Sequence, residues 1–199
     1  MKKFFATIIF MLMFATQASA MNLTLHESIG AMSLLPRQFE LQIDGYTALD
    51  GNFSKGVAVF GEDLYFHFDC SLAEENFDTA SRFGSKDFSN AVPVFVFEGM
   101  TKIYPIIGDD GRKFYLLATE TGGGNSMKVI GSRDGTWVKF FDTLDMRKQI
   151  PQEFYLENFY TAGDTIIFLY KQWQQENYCE LRYKWDENNK WFGVEVIYR

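Results

Sequence analysis

The sequence predicts a mainly β fold (β-rich α+β): an antiparallel meander that forms a barrel or a curved sheet, with one or two short helices packed on it. Short apolar runs with alternating polarity follow one another from Gln38 onward. Asp-Gly pairs at residues 44–45, 50–51 and 110–111 separate several of these runs. Asp-Gly between alternating runs is a strong hairpin signal, because glycine accepts the positive φ of a primed turn.

The third observation is that one strand pattern occurs twice. Residues 112–141 contain three predicted strands, and residues 164–198 follow the same plan. Trp137 and Trp191 take equivalent places in the two stretches, and a weaker counterpart starts at Leu64. A period of about fifty residues with several strands per unit occurs in propeller blades. Propeller-blade-like repeats are therefore the alternative fold.

The first twenty residues predict a cleaved signal peptide. Met1 to Lys3 form a short basic end, an apolar run follows to Thr16, and Ala18-Ser19-Ala20 closes the segment. The apolar run is too short to cross a bilayer comfortably. A retained anchor is the alternative, but polar residues follow at once. We expect one β-rich domain at 21–199, periplasmic or secreted from a bacterium, with no membrane span after cleavage.

The charge balance excludes some partners. The formal charge is −7, and loss of Lys2 and Lys3 makes the remaining chain more acidic. Nucleic acid and anionic membranes repel such a surface, so neither is an expected partner. Cationic partners remain compatible, and the sequence does not predict an oligomeric state.

Two helices are predicted in the first half of the chain. Residues 26–35 have apolar positions at helical spacing before Pro36, and a Ser-x-x-Glu capping box at Ser71 precedes a helix at 72–83. Between them, residues 56–60 and 64–69 form a predicted hairpin.

A second predicted hairpin pairs residues 92–98 with 101–107, and Asp110-Gly111 joins it to the first meander. Residues 94–97 and 114–117 are apolar on both faces. Such strands are typical of the middle of a layered structure.

The last third contains a connection and the clearest strand. Residues 144–159 break the strand pattern, and Pro151 is predicted to begin a short helical turn. Residues 179–185 alternate apolar with charged side chains, which predicts a half-buried strand with Cys179 facing inward.

The only two cysteines are Cys70 and Cys179. An exported chain meets an oxidising compartment, so a Cys70–Cys179 disulfide is predicted, and two separately buried thiols are the alternative. No metal site is expected, because the chain has no C-x-x-C and its histidines, His26 and His67, lie far apart in sequence. No cofactor motif was found.

Two segments in the first meander resemble functional motifs. Residues 132–137, Ser-Arg-Asp-Gly-Thr-Trp, resemble the Asp-box turn of sialidase-type propellers, but lack two of its spacer residues. That box is a structural turn in its family, so we interpret this copy as a hairpin turn beside a buried Trp. The glycine-rich residues 122–124 lack the following helix and lysine of a phosphate loop, which favours a strand connection.

No residue is assigned a catalytic role. A glycosidase needs two carboxylates at the right separation, which a sequence does not show. The candidates are Glu74, Glu75, Asp78, Asp109, Asp110, Glu120 and Glu157. His67 beside Tyr65 and Asp69 is either a general base or a residue on the outer face of a sheet.

The aromatic residues suggest a binding site instead. Trp173 lies in a polar loop at 172–177, where an indole between amides offers a flat apolar plate with donors and acceptors beside it. A loop Trp that folds back over the core is the alternative. If residues 164–186 form a hairpin, Tyr170, Tyr178 and Arg182 join Trp173 as predicted ligand-binding residues.

We therefore expect an exported, non-enzymatic binding or inhibitor-like domain that recognises a glycan or protein partner through aromatic loops. The first alternative is a small hydrolase acting on cell-envelope polysaccharide or sugar. The second is a structural envelope component, which predicts self-association rather than a pocket.

Overall fold

The computed structural model describes residues 21–35, 38–42, 47–48, 55–69, 80–96, 100–121 and 124–199. Several sequence predictions concern residues outside these ranges. They are the signal peptide at 1–20, the Asp-Gly turns at 44–45 and 50–51, Cys70, most of the helix at 72–83, and Gly122 and Gly123 of the glycine loop.

Sixteen strands are formed by the described residues. In chain order they are β1 Leu23–Leu25, β2 Gly30–Leu35, β3 Gln38–Gln42, β4 Thr47–Ala48, β5 Lys55–Phe60, β6 Leu64–Asp69, β7 Ser81–Gly84, β8 Ala91–Pro93, β9 Met100–Gly108, β10 Lys113–Thr121, β11 Gly124–Arg133, β12 Thr136–Asp142, β13 Phe154–Ala162, β14 Thr165–Gln172, β15 Tyr178–Asp186 and β16 Trp191–Tyr198. The described part of the chain also has two 3₁₀ helices between strands, Phe88–Asn90 and Thr143–Gln149.

These strands form three antiparallel sheets. The N-terminal sheet has the order β4-β5-β6-β7-β8, and the C-terminal sheet has the order β13-β14-β15-β16. The central sheet has the order β12-β11-β10-β9-β2-β3, with β1 pairing along the end of β9 that β2 leaves free. The described strands thus make open sheets rather than a barrel.

Strand β10 shows why the central sheet lies in the middle. Phe114, Leu116 and Ala118 belong to the core cluster shared with the C-terminal sheet. Tyr115 and Leu117, on the opposite face, belong to the cluster shared with the N-terminal sheet. Side chains alternate between the faces of a strand, so a strand buried on both faces must be apolar at every position. The prediction of a layered structure with residues 114–117 in its middle is confirmed.

The meander pattern occurs in all three sheets. Strands β5–β8, β9–β12 and β13–β16 each run as four consecutive antiparallel neighbours. Trp137 and Trp191 lie at the starts of β12 and β16, as their equivalent places in the sequence suggested. The central sheet continues beyond β9 into β2 and β3, so it is wider than a four-stranded blade.

No helix forms in the described residues of either predicted helix, and strands occupy part of each. Residues 30–35 form β2, which pairs with β9 and β3. The apolar residues have helical spacing, but the segment is a strand, because backbone pairing along β9 and burial of Met32 require an extended chain. At the end of the second predicted helix, Ser81–Gly84 forms β7, with Phe83 buried against Phe66.

Two further predictions are wrong for reasons of tertiary pairing. Residues 92–98 and 101–107 do not form a hairpin, because β8 pairs with β7 in the N-terminal sheet whereas β9 belongs to the central sheet. Pro151 does not begin a helical turn that contains Phe154, since Phe154 already starts β13. The helical turn of this connection comes earlier, at Thr143–Gln149, capped by the Asp142 side chain.

The predicted hairpins that rest on local turns are confirmed. Strands β5 and β6 pair around residues 61–63, and Gly111, with a φ of 86°, lies in the turn between β9 and β10. Asp134 and Gly135 have φ values of 51° and 82°, which a primed turn requires at both central residues. No helix among the described residues is long and apolar enough to cross a membrane.

Candidate functional site

The turn between β14 and β15 carries the most exposed large aromatic side chain of the described residues. Trp173 is 66% exposed, and its ring meets that of Tyr155 edge to face, with 5.7 Å between the centroids. Its backbone N–H donates to the Glu153 carbonyl at 3.2 Å, which ties the turn to the start of β13. The Trp173 indole therefore stands on the surface instead of folding back over the core.

A shallow depression of about 470 Å³ surrounds this indole. We call this surface the aromatic corner; its residues are Tyr155, Lys171, Trp173, Gln174, Gln175 and Glu176. The volume lies within the range of small-molecule sites, although the walls are low and polar.

Amide side chains hold the turn in shape. The Asn177 side-chain N–H donates to the Gln172 side chain at 2.7 Å and to the Gln175 side chain at 2.9 Å. The Gln172 backbone N–H donates to the Asn177 carbonyl at 3.0 Å, and Gln174 takes a φ of 60°. These bonds fix the direction of the Trp173 backbone, so the aromatic corner is formed before any ligand arrives.

Tyr178 lies beside the aromatic corner through its pairing with Lys171. The Lys171 Nζ lies 5.3 Å from the centroid of the Tyr178 ring. A hydrogen bond to Tyr178 is the main cause that raises the pKa of Lys171, and Glu157, 3.7 Å away, adds to it. Lys171 thus presents a fixed positive charge at the edge of the depression.

Tyr170, predicted to be ligand-binding, is instead part of the core. It is 5% exposed and packs between the central and C-terminal sheets. Burial is the main cause that raises its pKa. Adjacent residues of β14 point to opposite faces, so Lys171 lies at the surface and Tyr170 cannot.

Arg182, also predicted to be ligand-binding, belongs to a separate ion cluster on the outer face of the C-terminal sheet. Its guanidinium lies 2.5 Å from the Glu180 carboxylate and 3.7 Å from that of Glu195. Arg199 approaches the same Glu180 carboxylate at 3.3 Å. Glu180 is buried beneath these two arginines, and we expect Arg182 to neutralise it rather than to contact a ligand.

Tyr155 and Lys171 line the aromatic corner but were not predicted from the sequence. The alternation along β14, which puts Tyr170 inside, also puts Lys171 outside, so the signal for Lys171 was present. Tyr155 lies opposite Lys171 in the pairing of β13 with β14. A bulge between Leu156 and Asn158 shifts the register of this pairing. That bulge has no signature in the sequence.

The Cys70–Cys179 disulfide stays a prediction, because Cys70 lies outside the described residues. Cys179 is buried in the core between the central and C-terminal sheets. Burial raises its pKa, which keeps it protonated.

His67 and the four carboxylate candidates that the structure describes contact neighbouring groups. The His67 Nε2 lies 2.9 Å from the Ser85 carbonyl, and its ring meets Phe88 edge to face. Glu74, Glu75 and Asp78 fall outside the described residues. Each of the other four carboxylates pairs with a near neighbour: Asp109 with Asn22, Asp110 with Arg112, Glu120 with Lys102 and Glu157 with Lys171.

No group of three or more metal-ligating side chains forms among the described residues. Comparison with known proteins finds no match: no family model, curated protein or solved structure is significantly similar to this chain.

Proposed function

We propose that this protein is an exported, non-enzymatic binding domain that recognises a glycan at the aromatic corner. The observation that carries the proposal is the Trp173 indole, two-thirds exposed on a turn that hydrogen bonds hold in place. The exposed indole contributes little to the core and lies against the exposed Tyr155 ring, so a surface role accounts for it better than packing.

The chemistry of the aromatic corner suits a sugar ring. The apolar C–H face of a sugar stacks on a flat indole, and the Tyr155 ring stands at an angle beside it. The side-chain amides of Gln174 and Gln175 offer both donors and acceptors to ring hydroxyls. Lys171 and Glu176 add one charge of each sign, so the surface favours a polar ligand without strong net charge.

A glycan fits this surface better than a protein partner. The depression is small, and specific protein interfaces need about 800 Å² from each partner around a buried apolar centre. Here the residues around Trp173, apart from Tyr155, are amides and charged groups. The predicted signal peptide supports export, and an envelope or extracellular polysaccharide is the glycan that an exported domain meets.

Isothermal calorimetry with neutral oligosaccharides tests this proposal. The titrants are maltohexaose, cellohexaose and chitohexaose, with soluble peptidoglycan fragments as a further arm. We expect Trp173→Ala to weaken binding at least tenfold, because the stacking plate is lost. Calorimetry is needed because removing Trp173 also removes its fluorescence.

Tyr160→Ala is the matched control. Tyr160 is 37% exposed on the same sheet but lies outside the depression. The Tyr160→Ala variant should bind each oligosaccharide with the affinity of the wild type. Equal affinities of wild type and Trp173→Ala for every titrant would refute the aromatic corner as the site.

A further inference from the structure

A second concave region lies at the other end of β15. The turn before β15 carries Trp173, and the turn after it, at residues 187–190, lies about 30 Å away along nine residues of strand. Two adjoining depressions, of about 420 and 230 Å³, meet here and share Arg112 and Ser132. We call them together the hairpin-end groove, because hairpin turns from all three sheets form it.

The larger depression has an aromatic wall with polar groups beside it. The Trp137 indole stacks on the Tyr115 ring, with 5.9 Å between the centroids and 22° between the planes. The Tyr115 hydroxyl donates to the Asp63 carboxylate, which also accepts from Lys113 Nζ at 2.9 Å. Burial of the Tyr115 ring and this hydrogen bond raise the Tyr115 pKa, so the hydroxyl remains a donor.

The smaller depression continues the groove toward the C-terminal sheet. The Arg112 guanidinium lies 5.2 Å from the centroid of the Trp185 ring and binds Glu187 through two hydrogen bonds. Lys190 Nζ lies 2.5 Å from the Asp134 carboxylate on the opposite turn. These contacts link separate turns, so the wall of the groove is held in place by both sheets.

Three ion pairs lie along the groove. Asp63 pairs with Lys113, Glu187 with Arg112, and Asp134 with Lys190. Arg133, the one further charged side chain of the lining, donates to the Asn189 carbonyl and lies over the Trp191 ring. A lining whose charges are mostly paired does not select a strongly charged ligand. The two lysine ammonium groups keep spare N–H donors and each carboxylate keeps spare lone pairs, so the wall offers both donors and acceptors. Hydroxyl groups, which both donate and accept, fit such a lining.

We infer that the hairpin-end groove is a second binding site, which takes a neutral oligosaccharide several rings long. One ring lies against Trp137, and the chain passes Ser132 toward Trp185. The elongated shape, the single aromatic plate and the balanced donors and acceptors together select a polyhydroxylated chain over a compact or highly charged ligand.

The two sites would make the protein bivalent, a consequence that rests on the proposed function of the aromatic corner. Sites at opposite ends of one strand can hold two segments of a polysaccharide at once. When one segment is bound, the next segment of the same polysaccharide is held near the second site at a high effective concentration. This increases avidity without any new contact.

Ser132→Tyr is the variant that blocks the groove. Ser132 is exposed on β11 and lies in both depressions, so a larger side chain fills the groove without entering either core cluster. Tyr is compatible with a strand. Thr24→Tyr, an exposed strand position outside both sites, is the matched control. Trp137→Phe is a second variant, which keeps an aromatic ring against Tyr115 but shortens the plate.

Calorimetry with maltohexaose, cellohexaose and chitohexaose should show two binding events in the wild type. We expect Ser132→Tyr to remove one event, Trp173→Ala to remove the other, and Trp137→Phe to weaken the groove event at least threefold. A Ser132→Tyr protein that binds like wild type would overturn the second site. If Ser132→Tyr loses sugar binding while Trp173→Ala binds like wild type, the aromatic corner is overturned as a site. Failure of all three sugars to bind the wild type would overturn both sites.

Discussion

Arg112 of the central sheet and Glu187 of the C-terminal sheet form a bidentate ion pair, with N–O distances of 2.6 and 2.5 Å. The Glu187 carboxylate also accepts from the Trp185 indole N–H at 2.8 Å. This pair joins the β9–β10 turn to the β15–β16 turn, so it fixes two walls of the hairpin-end groove relative to each other.

The first prediction concerns the pH dependence of this pair. The hydrogen bonds from Arg112, followed by that from Trp185, lower the pKa of Glu187 to about 2 from an ordinary value of 4.5. A lowered folded-state pKa stabilises the fold above pH 4.5, and this stabilisation is lost as the pH falls toward 2. We therefore expect Glu187→Gln to unfold at lower urea concentration than wild type at pH 7.

The difference between the two urea midpoints should narrow steadily as the pH falls from 4.5 to 3. Glu62→Gln, at an exposed turn of the N-terminal sheet, is the control and should show no such trend. A Glu187→Gln midpoint that runs parallel to wild type from pH 7 to pH 3 would contradict this account of the pair.

The second prediction compares two leucines. Leu116 is fully buried in the core between the central and C-terminal sheets, whereas Leu144 is 51% exposed. Leu116→Ala removes the same atoms as Leu144→Ala but leaves a cavity. We expect it to lower the free energy of unfolding by about 3 kcal/mol, against less than about 0.5 kcal/mol for Leu144→Ala. Denaturant unfolding measures both, and similar losses would show that Leu116 is not in a packed core.

The third prediction concerns a buried ion pair in the central sheet. Lys128 Nζ lies 3.5 Å from the Asp142 carboxylate, and both side chains are almost fully buried. Burial is the main cause that lowers the pKa of Lys128. Asp142→Asn leaves the Lys128 charge without its partner, which we expect to cost about 3 kcal/mol or more.

The double variant Lys128→Met with Asp142→Asn should be more stable than Asp142→Asn alone, because the uncompensated charge is gone. Asn at position 142 can still accept the Leu144 backbone N–H that Asp142 accepts at 3.0 Å, so the cap of the 3₁₀ helix is retained. Additive losses in the double variant would contradict the coupling of the two residues.

Local patterns predicted the second half of the fold well. The alternation in β15 and the hairpin turn at residues 132–137 depend on neighbours in sequence, and both are present in the structure. The apolar residues 114–117 indicated a central layer because burial on two faces leaves a composition signal. Leu64, the weak match to the later meanders, starts β6, which like β10 is the second strand in a run of four consecutive antiparallel strands.

Long-range pairing accounts for the failures. Residues 30–35 have a helical spacing, but the free edge of β9 turns them into a strand. Val92 and the strand that starts at Met100 resemble one hairpin, yet they belong to different sheets. At the aromatic corner, the positions of Trp173 and Tyr178 were predictable because both belong to the β14–β15 hairpin. The position of Tyr155 was not, because it depends on the shifted register between β13 and β14.

Site-resolved NMR tests the glycan-binding proposal most directly. The chain has four tryptophans, whose indole N–H signals can be assigned by single substitutions. On titration with maltohexaose, cellohexaose or chitohexaose, we predict that the Trp173 signal shifts in step with the calorimetric saturation curve for at least one sugar. Saturable sugar binding that leaves the Trp173 signal in place, or no binding of any of the three, would contradict the proposal.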